Sequence, residues 1–188
     1  MELKNILKDT NLIGIISKYK SNLKLSGNIC DLEIKNISKA LKIVGLDDTY
    51  LDKNINDLTI SELWKIELLT KLDKDVIIVG NMYDSLIHKD REYMKKLFIK
   101  LSNKYHKKIV IIDNNIISFF NLVKKIIVIK NKEVVYETND FFDLSLYEHI
   151  NMPKIVDFIL YVNKKGTKIN NTIEIYELIK DIYRSVSQ

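Results

Sequence analysis

The chain has 188 residues, 46% hydrophobic and 29% charged, which is ample for one globular domain with a small addition and too apolar for a disordered polyampholyte. The 30 Lys and Arg against 25 Asp and Glu leave a formal charge of +5, almost all of it lysine. Lysine is a flexible point charge that reads base edges poorly, so no nucleic-acid partner is expected. The single cysteine, Cys30, excludes an internal disulfide and a thiolate metal cluster and suits a reducing compartment. The N-terminus alternates apolar and charged residues too closely for a signal peptide, and no apolar run reaches membrane-spanning length. The expectation is a cytoplasmic chain, or one peripheral to the inner face of the cell membrane.

Five glycines and one proline give little punctuation, so boundaries come from changes of pattern. Asn11-Leu-Ile-Gly-Ile-Ile16 reads as a strand, and residues 17–28 as a polar loop. From about Asp31 the apolar positions Leu32, Ile34, Ile37, Ala40, Leu41 and Val44 fall mostly at helical spacing, with Gly45 as the stop. Asp47-Asp48 is turn chemistry, and Thr59 with Glu62 forms the capping box of a helix carrying Leu63, Trp64, Ile66 and Leu69. Val76-Ile-Ile-Val79 and Ile109-Val-Ile-Ile112 are β-branched runs expected in strands covered on both faces. The helix between them spans residues 88–105, with Tyr93, Leu97, Phe98 and Leu101 as its inner stripe. After a short helix near Phe119, Ile126–Ile129 and Val134–Tyr136 form an antiparallel hairpin. The remainder is helical, with Pro153 opening one helix and Thr172 capping the last. This order predicts an α/β fold with a mainly parallel sheet, in which the strands at Val76, Ile109 and Ile126 are adjacent.

Ordinary enzyme signatures are missing. The chain has no G-x-x-x-x-G-K-[ST], no G-x-G-x-x-G and no H-E-x-x-H, and His88, His106 and His149 are scattered. Cys30 has no histidine or helix start nearby to activate it, and no catalytic residue or metal ligand is indicated.

The order of the elements nevertheless resembles the ATP-binding subunit of ABC transporters, nearest to the importer group of the energy-coupling-factor and cobalt type. Ile13-Gly-Ile-Ile-Ser-Lys18 looks like the strand entering that family's Q-loop, with Lys18 in the place of glutamine. Ala40-Leu-Lys-Ile-Val-Gly-Leu46 with Tyr50-Leu-Asp52 resembles the end of its helical subdomain. Leu58-Thr-Ile-Ser-Glu62 stands where the LSGGQ signature belongs, which makes Thr59, Ser61 and Glu62 degenerate signature positions. Val76-Ile-Ile-Val-Gly80-Asn81 is similar to the Walker B strand, with Gly80 for the magnesium-binding aspartate and Asn81 for the catalytic glutamate. Ile87 falls at the D-loop aspartate and Asn114 at the switch histidine.

The resemblance implies a partial P-loop NTPase fold, ABC ATPase-like and N-terminally truncated, beginning just upstream of the Q-loop-like strand without the phosphate loop and first strands. Its α/β domain would span residues 1–138, including a helical-subdomain remnant over 28–75, followed by a C-terminal helical appendix over 139–188. A strand at 13–16 left without upstream neighbours would be an open sheet edge, to be covered by Leu3, Ile6 and Leu7 of a helix over residues 2–9 or by a second chain. With no carboxylate at Gly80 or Asn81, ATP and magnesium binding is expected to be weak or absent, and ATP hydrolysis by this chain alone is not expected. The implied role is that of a non-catalytic accessory subunit of an importer-type transporter. Its partners would be an intact ABC ATPase subunit, a transporter membrane subunit or a second copy of the chain. Two alternatives stand beside this one: a standalone α/β enzyme, or a decayed paralogue kept for an interaction.

Overall fold

A computed structural model describes residues 10–18, 25–80 and 86–186, so the expected helix over 2–9 and the turn residues 81–85, Asn81 among them, lie outside the described residues. The chain divides into two compact units, Met1–Lys124 and Lys125–Gln188. The β4–β5 hairpin therefore belongs with the C-terminal helices, whereas the sequence placed its boundary after residue 138.

The first unit is built on three strands, β1 (Leu12–Ile16), β2 (Val76–Gly80) and β3 (Lys108–Asp113). β3 is central. It pairs in parallel with β1 on one edge, Leu12 opposite Ile109 and Ile16 opposite Asp113. On the other edge it pairs in parallel with β2, Val76 opposite Lys108 and Gly80 opposite Ile112. The expected neighbours Val76 and Ile109 are thus adjacent and parallel, joined through a crossover helix as sequential βαβ units are. The strand containing Ile126 is not next to β3, because β1 takes that edge.

All five residues of β1 are buried, so both of its faces are covered. Gly14 is the reason it packs so closely: a Cβ there would lie 2.7 Å from the ring of Phe119, which covers the strand. The exposed strand is β2, expected to be covered on both faces, where Ile78 is 36% exposed. Its backbone is managed by lysine, since the Lys71 Nζ donates to the Ile78 carbonyl at 2.8 Å and pairs with Glu67 at 2.6 Å.

Between β1 and β2 the chain forms α1 (Ile37–Val44) and α2 (Ile60–Leu69), with short 3-10 turns at Ile29–Asp31, Asp48–Tyr50 and Ile55–Asp57. Main-chain bonds from Ile29 to Lys53, Cys30 to Leu51 and Ile55 to Gly27 tie the entry of this segment to its middle. Asn36 precedes α1 in the left-handed region, which sets the helix start later than the apolar spacing suggests. Gly45 ends α1 with φ of 74°, and an added Cβ would fall 1.9 Å from the Tyr93 hydroxyl. That hydroxyl donates to the Val44 carbonyl at 2.8 Å. Tyr93 therefore belongs to a polar clasp and is 37% exposed, while the inner stripe of α3 (His88–Tyr105) is Met94, Leu97, Phe98 and Leu101. Burial of each of those side chains stabilises the helix by roughly 1.5–3 kcal/mol.

The second unit begins with β4 (Lys125–Lys130) and β5 (Glu133–Thr138), an antiparallel hairpin. Its two turn residues, Asn131 and Lys132, both have positive φ, as a type I′ turn requires. A 3-10 turn at Leu144–Glu148 follows, fastened to β5 by the Tyr136 hydroxyl donating to Asp143 at 2.7 Å. The last helices are α4 (Lys154–Lys164), with Pro153 as its N-cap, and α5 (Ile175–Val186). The buried carboxylate of Asp181 accepts from the Asn170 backbone N–H at 3.1 Å and holds the linking loop onto α5.

Candidate functional site

In open parallel sheets, ligands bind outside the carboxyl ends of the strands. All three strands of the first unit end on one side, and three of the sequence-derived positions gather there. Lys18 follows β1 and is exposed, Asn114 follows β3 and is exposed, and Gly80 is the buried last residue of β2. Asn81, the fourth, lies outside the described residues. Asp113 was not among the positions that the sequence singled out. Asp113 closes β3 opposite Ile16 and is 1% exposed. An acidic residue directly after four apolar strand residues was the signal available.

The donors at this edge are already used within the chain. The Ser17 N–H donates to the Asp113 carbonyl at 3.3 Å. The Asn115 N–H donates to the Asp113 Oδ1 at 3.0 Å, and the Ile117 N–H to the Asn115 Oδ1 at 3.0 Å. A phosphate cradle needs such N–H groups turned toward the anion, on a glycine-rich loop that leads into a helix. Gly80 supplies no side-chain oxygen for magnesium, which takes oxygen ligands in octahedral geometry.

Thr59, Ser61 and Glu62 sit elsewhere, at the start of α2, and their bonds are those of a helix cap. The Glu62 N–H donates to Thr59 Oγ1 at 3.3 Å, and the Glu62 carboxylate accepts from the Thr59 N–H at 2.8 Å. The Tyr50 hydroxyl donates to the same carboxylate, and the Lys53 Nζ lies 3.9 Å from it. The Tyr50 bond foremost, then the Thr59 donors, outweigh partial burial and lower the Glu62 pKa to about 2. In return the Glu62 bond raises the Tyr50 phenol. A carboxylate this firmly ionised and this fully engaged is a poor proton acceptor. Among the described residues, no group of three or more His, Cys, Asp and Glu is placed to hold a metal ion.

Two clefts open on the helical segment of the first unit. One, of about 480 Å³, has a mixed lining in which Ile34, Ala40, Ile43, Leu69 and Leu72 stand beside the charged Glu33, Lys35, Lys39 and Asp73. The other, of about 510 Å³, lies against Ile60, Leu63 and Trp64 of α2.

No protein-family model matches the chain, and no curated protein matches it. Solved structures do. The chain is similar to cbiO1 of Clostridium perfringens, described as part of the ABC transporter complex cbiONQ, with a TM-score of 0.56, 17% identity, and 88% of this chain and 70% of that one covered. It is similar to a structure described as an inward-facing metal-chelate type ABC transporter, with a TM-score of 0.57, 12% identity, and coverage of 77% and 66%. It is also similar to a dimeric ATP-binding cassette in a post-hydrolysis state with ADP and Pi, with a TM-score of 0.52, 18% identity, and coverage of 69% and 63%. The fold is that of the ABC transporter ATPase cassettes, an α/β P-loop NTPase-like fold. The chain spans between 45% and 70% of the length of the structures it resembles. Among the described residues, no helix is long and apolar enough to cross a membrane.

Proposed function

We propose that this chain is a non-catalytic ABC ATPase-like protein that serves as an accessory subunit of an importer-type transporter. The observation that carries the proposal is the carboxyl edge of the parallel strands, where Gly80 ends β2 without a side-chain oxygen and the Asp113 carboxylate accepts from the Asn115 N–H within the chain. Backbone donors and a lysine clamp supply most of the recognition of a triphosphate in this fold. Gly80 brings no metal ligand, and Asn114 cannot titrate as a histidine does. Such a chain keeps the shape of a cassette without its chemistry. Shape is what an intact ATPase or a membrane subunit would dock against. The cleft lined by Ala40, Ile43, Leu69 and Leu72, with Glu33, Lys35, Lys39 and Asp73 beside them, offers apolar and charged groups to a partner segment.

Titration calorimetry with ATP and magnesium tests the first half of this reading, and the expected result is a dissociation constant of about a millimolar or weaker. A low-micromolar constant, or steady release of phosphate, would overturn it. Affinity purification from the native cell tests the second half. Recovery of a transporter membrane subunit or an intact cassette is expected, and recovery of neither would leave a decayed paralogue in its place.

A further inference from the structure

The positive charge of this chain is concentrated in one place. Residues 88–108, which are α3 and its exit, carry eight Lys and Arg against two Asp and Glu, a surplus larger than the +5 of the whole chain. The rest is close to neutral, with 22 basic and 23 acidic residues. α3 buries Met94, Leu97, Phe98 and Leu101, so its opposite face is turned to solvent. Lys89, Lys96 and Lys100 are exposed and stand at i, i+7 and i+11. At 3.6 residues per turn these fall within about 40° of one another, in a row roughly 16 Å long. Lys104 continues the row toward the C-terminal end of the helix. Of the two acidic residues, Glu92 is paired with Lys95 at 3.1 Å. None of the three lysines of the row has an acidic partner among the described residues.

We infer that the outer face of α3 docks on an anionic lipid surface. Complementarity of charge favours a polyanion, and the form of the face selects which one. A straight row of lysines on one convex helix meets a plane along its whole length, whereas a nucleic-acid strand is held in a groove with aromatic platforms for its bases. The aromatic rings near this row are already engaged: the Lys65 Nζ lies 4.5 Å from the Tyr93 ring centroid, and the Lys104 Nζ 5.9 Å from that of Tyr105. The one arginine of the helix, Arg91, donates its Nε–H to the Leu86 carbonyl at 2.6 Å, so its fork is partly committed. Partially exposed Ile99 at the flank of the row adds an apolar contact at headgroup depth. Juxtamembrane basic clusters act in this way, each lysine near the surface contributing roughly fivefold to partition.

The test is co-sedimentation of the full chain with vesicles of phosphatidylcholine alone, and of phosphatidylcholine containing about one third phosphatidylglycerol. Binding to the anionic vesicles only, lost as salt shortens the screening length, is the expected result. The triple variant Lys89→Gln, Lys96→Gln, Lys100→Gln is expected to lower partition about a hundredfold. A control triple variant, Lys130→Gln, Lys132→Gln, Lys164→Gln, removes the same charge elsewhere and is expected to change partition less than tenfold. Equal binding to neutral vesicles, an equal loss in the control, or tighter binding to an oligonucleotide than to anionic vesicles at the same salt would each overturn the inference. None of these outcomes depends on whether the chain is an accessory subunit.

Discussion

Gly45→Ala is the substitution on which the local geometry makes its sharpest demand. Gly45 ends α1 at φ of 74°, a region where a side chain costs about 1–2 kcal/mol. The new Cβ would also sit 1.9 Å from the Tyr93 hydroxyl and 3.0 Å from its ring carbon, so the phenol has to withdraw. Withdrawal breaks its 2.8 Å bond to the Val44 carbonyl, a loss of about 0.5–1.5 kcal/mol. Together these terms predict a destabilisation of roughly 2–3 kcal/mol, or a fall in Tm of about 5–10 °C for a chain of this size. Urea unfolding followed by circular dichroism measures it. The two terms separate in a double-mutant cycle. Tyr93→Phe removes the hydroxyl and its bond, so Gly45→Ala in that background should retain only the backbone cost, with a coupling of about 1 kcal/mol. Equal cost in both backgrounds would refute the steric clasp. A cost under about 0.5 kcal/mol in the native background would refute the left-handed cap as well.

Glu62 makes stability depend on acid. Its folded pKa of about 2 lies below its ordinary 4.5, so its contribution is complete above pH 4.5 and disappears as pH falls toward 2. The stability difference between the native chain and Glu62→Gln should be level above pH 5, about 1–2 kcal/mol after solvent screening, and should shrink below pH 4.5. A difference that stays constant from pH 6 to pH 3 would dismiss the Tyr50–Glu62–Thr59 arrangement. Gly14→Ala should destabilise by about 1–3 kcal/mol through its contact with Phe119, and Phe119→Leu in the same chain should recover part of that loss. Unfolding midpoints of the native chain and the two variants decide it, and a Gly14→Ala variant as stable as the native chain would refute the close packing.

Local chemistry was legible in the sequence. The capping box of Thr59 and Glu62, the helix over 88–105, the hairpin of Ile126–Ile129 with Val134–Tyr136, and the strands at Val76 and Ile109 depend on neighbours a few residues away, and each formed as read. The order of the elements was enough to suggest the fold, because βαβ crossovers restrict the arrangements open to sequential strands. Which strand lies beside which was settled only in three dimensions. Leu12–Ile16 carries the same apolar pattern whichever strand it pairs with, and the register with β3 together with the ring of Phe119 over Gly14 fixed its place. The same limit explains Tyr93, whose spacing suits the core stripe while its hydroxyl is drawn to a carbonyl 49 residues earlier in the chain. It also explains Asp113, which reads as a turn residue until the end of β1 is set beside it. Hydrogen bonds between distant segments leave no period in a sequence. The Asn115 and Ile117 donors are held by side-chain turns two residues long, of the kind that Asp and Asn specify locally, whereas the Ser17 N–H bond to the Asp113 carbonyl, 96 residues on, belongs to the tertiary structure.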